Sequence, residues 1–193
     1  LLLILIGHLS AADLHRLLER ADSISETGYY DLAAVVCEEA LFVAENEVNT
    51  PDTTVAAILD RLGTYCYKHS AFYEAQKHFS RSLEIRRKAL GESHPDIAAS
   101  LYGLGVSYAG VAKNIEAESC FEQALAIRKV AFGPEHVSVA EVLTGLGNIR
   151  RDQLMIVAAE SLFVDALQMY EDTLGSEHRE VGDVMSMLAT VYA

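Results

Sequence analysis

The chain has 193 residues, 51% of them hydrophobic, and its 15 basic against 28 acidic side chains give a net charge of −13. Such an excess of carboxylates repels phosphate backbones and anionic lipid, which sets aside nucleic-acid duplexes and polybasic membrane contacts. With half its residues apolar and only three prolines, the chain is neither collagen-like nor disordered, and it can bury the core of one domain. The three cysteines, Cys37, Cys66 and Cys120, are odd in number and lack CxxC spacing or a His/Cys cluster, so neither a disulfide framework nor a zinc site is indicated. They are expected to be reduced, buried small hydrophobes of a cytoplasmic protein.

Residues 1–9 form an apolar lead-in. Its run Leu1-Leu2-Leu3-Ile4-Leu5-Ile6 is too short to span a bilayer and has no basic flank. The end of a preceding segment is the favoured origin, and the stub of a signal sequence is the other. From about Ser10 to Ala193 the chain repeats itself. Gly91, Gly133 and Gly175 are spaced by 42 residues, and His94, His136 and His178 each follow three residues later. The same shift relates Leu62, Leu104, Leu146 and Leu188, and also Ala33, Ala75, Ala117 and Ala159. It carries Phe79 to Phe121 and Phe163, with Cys37 in the equivalent earlier place. A fixed period of this length marks a repeat architecture, with units over about 10–50, 51–92, 93–134 and 135–176 and a half unit over 177–193.

Within each unit apolar residues recur at spacings of three and four with almost no proline, which predicts two amphipathic helices per unit and an all-α chain. In chain order the helices are expected at 10–27, 29–47, 53–69, 72–90, 95–112, 115–132, 137–153, 157–174 and 179–193. In the clearest unit Ile97, Leu101, Leu104, Val106 and Tyr108 share the first helix. Ile115, Ala117, Cys120, Phe121, Ala124, Leu125 and Ile127 share the second, after a break near Lys113-Asn114. Gly133 is expected to end that helix in a left-handed cap. Small residues at Gly63, Gly105, Gly147 and Ala189 let the paired helices approach, and Phe79, Phe121 and Phe163 fill the gap towards the next unit. A bulky side chain at Gly105 should overpack by about 1–3 kcal/mol.

The arrangement Leu101-x2-Leu104-Gly105-x2-Tyr108, followed by Ala117-x3-Phe121 and then Ala124, resembles the tetratricopeptide repeat. Leu59, Leu62, Gly63, Ala75 and Phe79 form a second copy, and Leu143, Leu146, Gly147, Ala159 and Phe163 a third. The first unit, with Leu17, Ala21, Ala33, Cys37 and Ala40, is a weaker match, and the last stops after Met185, Leu188, Ala189 and Tyr192. The 42-residue period and the linker Leu90-Gly91-Glu92-Ser93-His94-Pro95 look like the kinesin light chain group of these repeats. The resemblance implies a right-handed α-solenoid of antiparallel helix pairs, about four and a half repeats long.

In such a solenoid the first helix of each unit lines a concave groove. The family's exposed inner positions fall one, two and five residues after the first large position. Here they are Asp60, Arg61 and Thr64; Tyr102, Gly103 and Val106; Thr144, Gly145 and Asn148; and Ser186, Met187 and Thr190. Tyr67, Lys68, Arg151 and Asp152 lie one turn further along. The peptide-binding set implied by the resemblance is therefore Asp60, Arg61, Thr64, Tyr67, Lys68, Tyr102, Val106, Thr144, Asn148, Arg151 and Asp152. Kinesin light chains hold extended cargo peptides with the help of paired asparagines. Here Asp60-Arg61, Tyr102-Gly103 and Thr144-Gly145 stand in their place, so the cargo preference is expected to differ.

The periodic histidines sit in equivalent linkers, about 10 Å or more apart, too far to share a metal; they are expected to cap or bridge helix ends. No GxSxG, HExxH or P-loop occurs, and Gly103-Leu104-Gly105 lies inside a helix with no strand before it, so neither catalysis nor a cofactor is expected. Residues 1–50 hold two basic and nine acidic side chains, whereas 51–92 hold seven and five. Lys77, Arg81, Arg86, Arg87 and Lys88 in that second stretch are expected on the solvated convex face. The sequence thus points to a non-catalytic scaffold or adaptor for a protein or peptide partner, without nucleic acid or membrane. A structural or regulatory array attached to a catalytic or nucleotide-switch domain is the alternative. The unpaired helix of the half unit at the end is expected to fray or to self-associate.

Overall fold

The computed structural model describes residues 11–47 and 49–192; the apolar lead-in over 1–9 lies outside them. The described residues form α1 (Ala11–Glu26), α2 (Tyr30–Asn46), α3 (Asp52–Lys68), α4 (Phe72–Leu90), α5 (Pro95–Ala109), α6 (Asn114–Phe132), α7 (Val137–Asp152), α8 (Ile156–Leu174) and α9 (Arg179–Val191), with no strand among them. The fold is an all-α repeat array of helix pairs. It divides into two compact units, Leu1–Gly91 with α1 to α4 and Glu92–Ala193 with α5 to α9.

The helix bounds follow the hydrophobic periodicity to within two residues, with one exception. The helix expected over 95–112 stops at Ala109, because Ala112 takes a positive φ of 58° and the Lys113 N–H donates back to the Tyr108 carbonyl at 3.0 Å. The same turn recurs at Ser70 and Leu154, and Gly28 at the equivalent place also has a positive φ, the values being 65°, 60° and 87°. Three of these four positions carry a side chain that opposes the left-handed region, so the sequence announces the positive φ only at Gly28.

Packing inside the second, third and fourth repeats rests on a glycine facing a phenylalanine. A β-carbon placed on Gly63 would stand 2.9 Å from the Phe79 ring, and one on Gly105 or Gly147 only 2.6 Å from Phe121 or Phe163. No side chain fits there unless the aromatic moves, which is why the first helix carries glycine despite its cost of about 1 kcal/mol in a helix. Phe121 reaches further: a β-carbon on Gly145 would meet its Cζ at 2.9 Å. The ring is thus wedged between its own helix pair and the first helix of the next repeat, as the spacing implied.

The linkers are built on the periodic residues. Gly91, Gly133 and Gly175 end α4, α6 and α8 with φ of 80–93°. Their ψ of 155–164° is extended, so the cap is not the left-handed helical one expected but the positive-φ region that only glycine populates readily. His94 and His136 then cap α5 and α7: Nδ1 accepts the backbone N–H of Asp96 at 3.2 Å and of Ser138 at 3.1 Å. His178 occupies the same place before α9, but its Nδ1 lies against the Glu180 carboxylate and makes no side-chain cap.

Three further expectations need correction. Gly103 and Gly145, taken as exposed groove positions, are buried, Gly145 beneath the Phe121 ring. Ile115 is exposed because it falls on the outward side of the first turn of α6. Ala189, which takes the place of the packing glycines, is exposed on α9.

Candidate functional site

Each implied groove residue lies on a first helix, and the two compact units use them differently. In the N-terminal unit Asp60, Arg61, Thr64, Tyr67 and Lys68 are on α3. Asp60 is not free for a ligand. Its Oδ2 pairs with Arg86 Nη1 at 2.5 Å, and the two side chains retain only 18% and 8% of their exposure. This corrects the placement of Arg86 on a solvated face: from α4 it turns inward and neutralises a carboxylate on α3. Lys77, Arg81 and Lys88 are exposed as expected, with Arg81 paired to Glu45 at 2.5 Å and Lys88 to Glu84 at 2.6 Å.

Arg61 is engaged as well. Its Nη1 lies 2.6 Å from Asp22 Oδ2, and the Tyr65 hydroxyl donates to Asp22 Oδ1 at 2.5 Å. Burial, with that hydrogen bond and the carboxylate's charge, pushes the Tyr65 phenol well above its usual range. Asp22 stands five residues after Leu17, so it is the first unit's equivalent of Thr64, Val106 and Asn148. The implied set omitted it, although the 42-residue shift would have found it. Thr64 donates to the Asp60 carbonyl at 2.8 Å, Tyr67 packs against Phe72 with ring centroids 5.7 Å apart, and Lys68 Nζ sits 5.2 Å above the Tyr30 ring.

In the C-terminal unit Tyr102 and Val106 are on α5, and Thr144, Asn148, Arg151 and Asp152 on α7. The Tyr102 ring lies 5.7 Å from that of Phe121, and the Arg128 guanidinium sits 5.0 Å from its centroid. Arg128, buried like Arg86 one repeat earlier, also donates to the Ser138 carbonyl and pairs with Glu141 Oε2 at 2.8 Å. One repeat further the Thr144 hydroxyl donates to the Ala140 carbonyl at 2.9 Å, and burial raises the pKa of the buried Tyr170 to about 12. A single pair of positions, one on the first helix and one near the end of the second, thus carries an ion pair (Asp60 and Arg86), a cation-π contact (Tyr102 and Arg128) and two uncharged side chains (Thr144 and Tyr170) in successive repeats.

Val106 and Asn148 are half-buried, and the Asn148 amide makes no hydrogen bond among the described residues. Arg151 and Asp152 face each other at 3.4 Å, while Arg150 is held by Glu118, whose carboxyl that contact keeps below its usual range. The three cysteines are buried thiols, and desolvation pushes Cys37 up to about 12 and Cys66 up to about 11. Among the described residues no group of three His, Cys, Asp or Glu side chains could hold a metal ion, and no helix is long and apolar enough to cross a membrane.

Comparison with known proteins agrees with this geometry. The family model for the tetratricopeptide repeat matches residues 54–129 and 107–172. Among solved structures, BtubC (BKLC) from P. vanneervenii is similar with a TM-score of 0.80 and 19% identity over 94% of this chain and 72% of that one. A single-substitution variant of nearly identical TPR-like repeats from Podosopora anserina, described as of kinesin light chain type, gives a TM-score of 0.77 at 22% identity, over 96% and 88% of the two chains. The apo form of RapI gives 0.75 at 14% identity, covering 93% of this chain and 62% of that one. These likenesses concern the fold. No curated protein gives a significant match.

Proposed function

From the premise that this chain belongs to the tetratricopeptide repeat family, we propose that it is a non-catalytic protein-interaction scaffold of the kinesin-light-chain-like kind, holding an extended peptide or partner helix along its first helices. The observation that carries this reading is the state of α5 and α7. Their buried sides are packed by phenylalanine against glycine, yet Val106 and the Asn148 amide stay half-buried and unspent. A side-chain amide offers two donors and an acceptor and so can pair with the backbone of an extended peptide whatever its sequence. Tyr102 and Val106 add apolar surface beside it, and Arg151 with Asp152 form a charged but neutral rim.

In the N-terminal unit the equivalent positions are committed to Asp22, Arg86 and Tyr30, so a ligand there would have to displace an existing contact. The peptide face is therefore assigned to the C-terminal unit, with Arg61, Thr64, Tyr67 and Lys68 as secondary positions. Three buried thiols fit a reducing compartment such as the cytoplasm.

The test is a proteome peptide array probed with the purified protein and with an Asn148→Ala plus Arg151→Ala variant. Neither residue belongs to the core, so the variant should keep the helical circular-dichroism spectrum. A peptide set held by the wild type and released by the variant places binding on α7. Equal retention by both would sink the reading.

A further inference from the structure

The internal repeats supply their own control for what each surface position needs. On the outward side of α2, Leu32, Val35 and Phe42 are exposed by 48%, 60% and 48%. Shifted by 42 residues, the same three positions hold Glu74, Lys77 and Glu84 on α4, Glu116, Ser119 and Ala126 on α6, and Ala158, Ser161 and Gln168 on α8. All but the half-buried Ala158 of those nine are exposed. Three repeats thus build this face from charged, polar or small residues, and the fold asks for nothing larger. Only the first places large apolar side chains there.

Their spacing of three and then seven aligns them on one side of a helix, as a stripe about 15 Å long at 1.5 Å per residue. Carboxylates lie along it. Asp31 and Glu38 run along one side and Glu39 sits within the stripe, between Val35 and Phe42, and none of the three enters an ion pair among the described residues. Three other acidic side chains of the same unit, Asp22, Asp60 and Glu45, are paired, with Arg61, Arg86 and Arg81.

We infer that the outward face of α2 docks a basic amphipathic helix of another protein. Apolar residues at spacings of three and four on the partner cover Leu32, Val35 and Phe42, and Lys or Arg beside them pair with Asp31, Glu38 and Glu39. A second copy of the chain is the wrong occupant on charge. In a two-fold pair the same patch faces itself, which would set these carboxylates against each other on molecules that each carry −13. The surface is separate from the peptide face on α5 and α7, so either can hold without the other.

The probe is a helical peptide of leucine and lysine with leucines at spacings of three and four, beside a twin with glutamate for lysine. Binding is read by fluorescence anisotropy at low and physiological salt. The wild type should bind the lysine peptide and not the glutamate twin. Val35→Lys with Phe42→Glu installs the residues that α4 carries at the same positions, so folding holds, and it leaves the net charge unchanged. It should weaken binding at least about tenfold, as loss of central apolar anchors does. Glu38→Gln with Glu39→Gln should weaken it about threefold and flatten the salt dependence. Equal binding by wild type and the Val35/Phe42 variant overturns the inference, since attraction to a polyanion would then suffice. So does equal binding of the glutamate twin or no binding at all. Sedimentation of the wild type as a dimer that this variant dissociates overturns it in favour of self-association. Binding that emerges only after removal of residues 1–9 overturns it in favour of the chain's own apolar lead-in.

Discussion

The two compact units share one repeat geometry and spend it differently. In the N-terminal unit polar positions on the first helices are consumed internally, by Asp22 with Arg61 and Tyr65 and by Asp60 with Arg86. In the C-terminal unit Tyr102 is likewise engaged, by Phe121 and Arg128, but Val106 and Asn148 are free of such contacts and Thr144 makes only a neutral hydrogen bond to the Ala140 carbonyl. The aromatic wedges are Phe79 over Gly63 in the N-terminal unit, and Phe121 over both Gly105 and Gly145 in the C-terminal unit. A repeat frame fixes where a side chain sits, and the residue chosen there decides whether the position stabilises the array or is left for a ligand.

The largest expected effect tests the wedge. Phe121→Ala should cost about 3–5 kcal/mol, the range for removing a fully buried aromatic, because glycines on both sides leave nothing to close the cavity. Phe79→Ala, which removes a ring 4% exposed against 1% for Phe121, should fall at the lower end. Urea midpoints with m-values for both variants check this, and a larger loss at Phe79 would contradict the account of the wedge.

Next in size is the buried ion pair of the N-terminal unit. Asp60→Ala leaves the guanidinium of Arg86 without its carboxylate in a site where only 8% of the side chain is exposed. Stranding one partner of a buried pair costs about 3 kcal/mol or more. The double variant Asp60→Ala with Arg86→Leu removes both charges and should recover most of that loss. In the C-terminal unit Thr144→Ala takes away only a neutral hydrogen bond, worth about 1 kcal/mol. If Asp60→Ala proves as mild as Thr144→Ala, the two units do not differ in the way described.

The parts of this molecule that were legible in the sequence are those written as volume. Gly63 with Phe79, Gly105 with Phe121 and Gly147 with Phe163 recur at one spacing, and a small residue opposite a large one predicts contact without knowledge of the backbone. The histidine caps were legible for the same reason, since one residue type recurs at one place. Arg86 was not, because an arginine in a basic run on a second helix reads as solvated, and the carboxylate that draws it inward lies 26 residues earlier on another helix. Only the substitution pattern across repeats, Asp60 and Arg86 becoming Tyr102 and Arg128 and then Thr144 and Tyr170, links the two positions. Asp22 escaped notice because the first unit departs most from the repeat pattern. The concave set as a whole was inferred from family positions, which give an address on the helix but not whether its occupant is already engaged.

The smallest expected effect separates the two ends of the array at the turn within each helix pair. Gly28 and Leu154 occupy equivalent places with φ of 87° and 60°, but only glycine enters that region without strain. At Leu154 the left-handed conformation costs about 1–2 kcal/mol, and the side chain, 82% exposed, recovers little of it by burial. Leu154→Gly removes the strain while giving the unfolded chain more freedom, a loss of about 0.4–1 kcal/mol. The net gain should be about 0.5–1 kcal/mol, seen as a higher urea midpoint at constant m. Gly28→Ala should show the opposite sign with about 1 kcal/mol lost, because a β-carbon there meets no atom within 4 Å and backbone strain is the whole effect. A destabilised Leu154→Gly would mean that this leucine holds a contact beyond the single chain, and the exposed run Leu154-Met155-Ile156-Val157 would be the place to look for it.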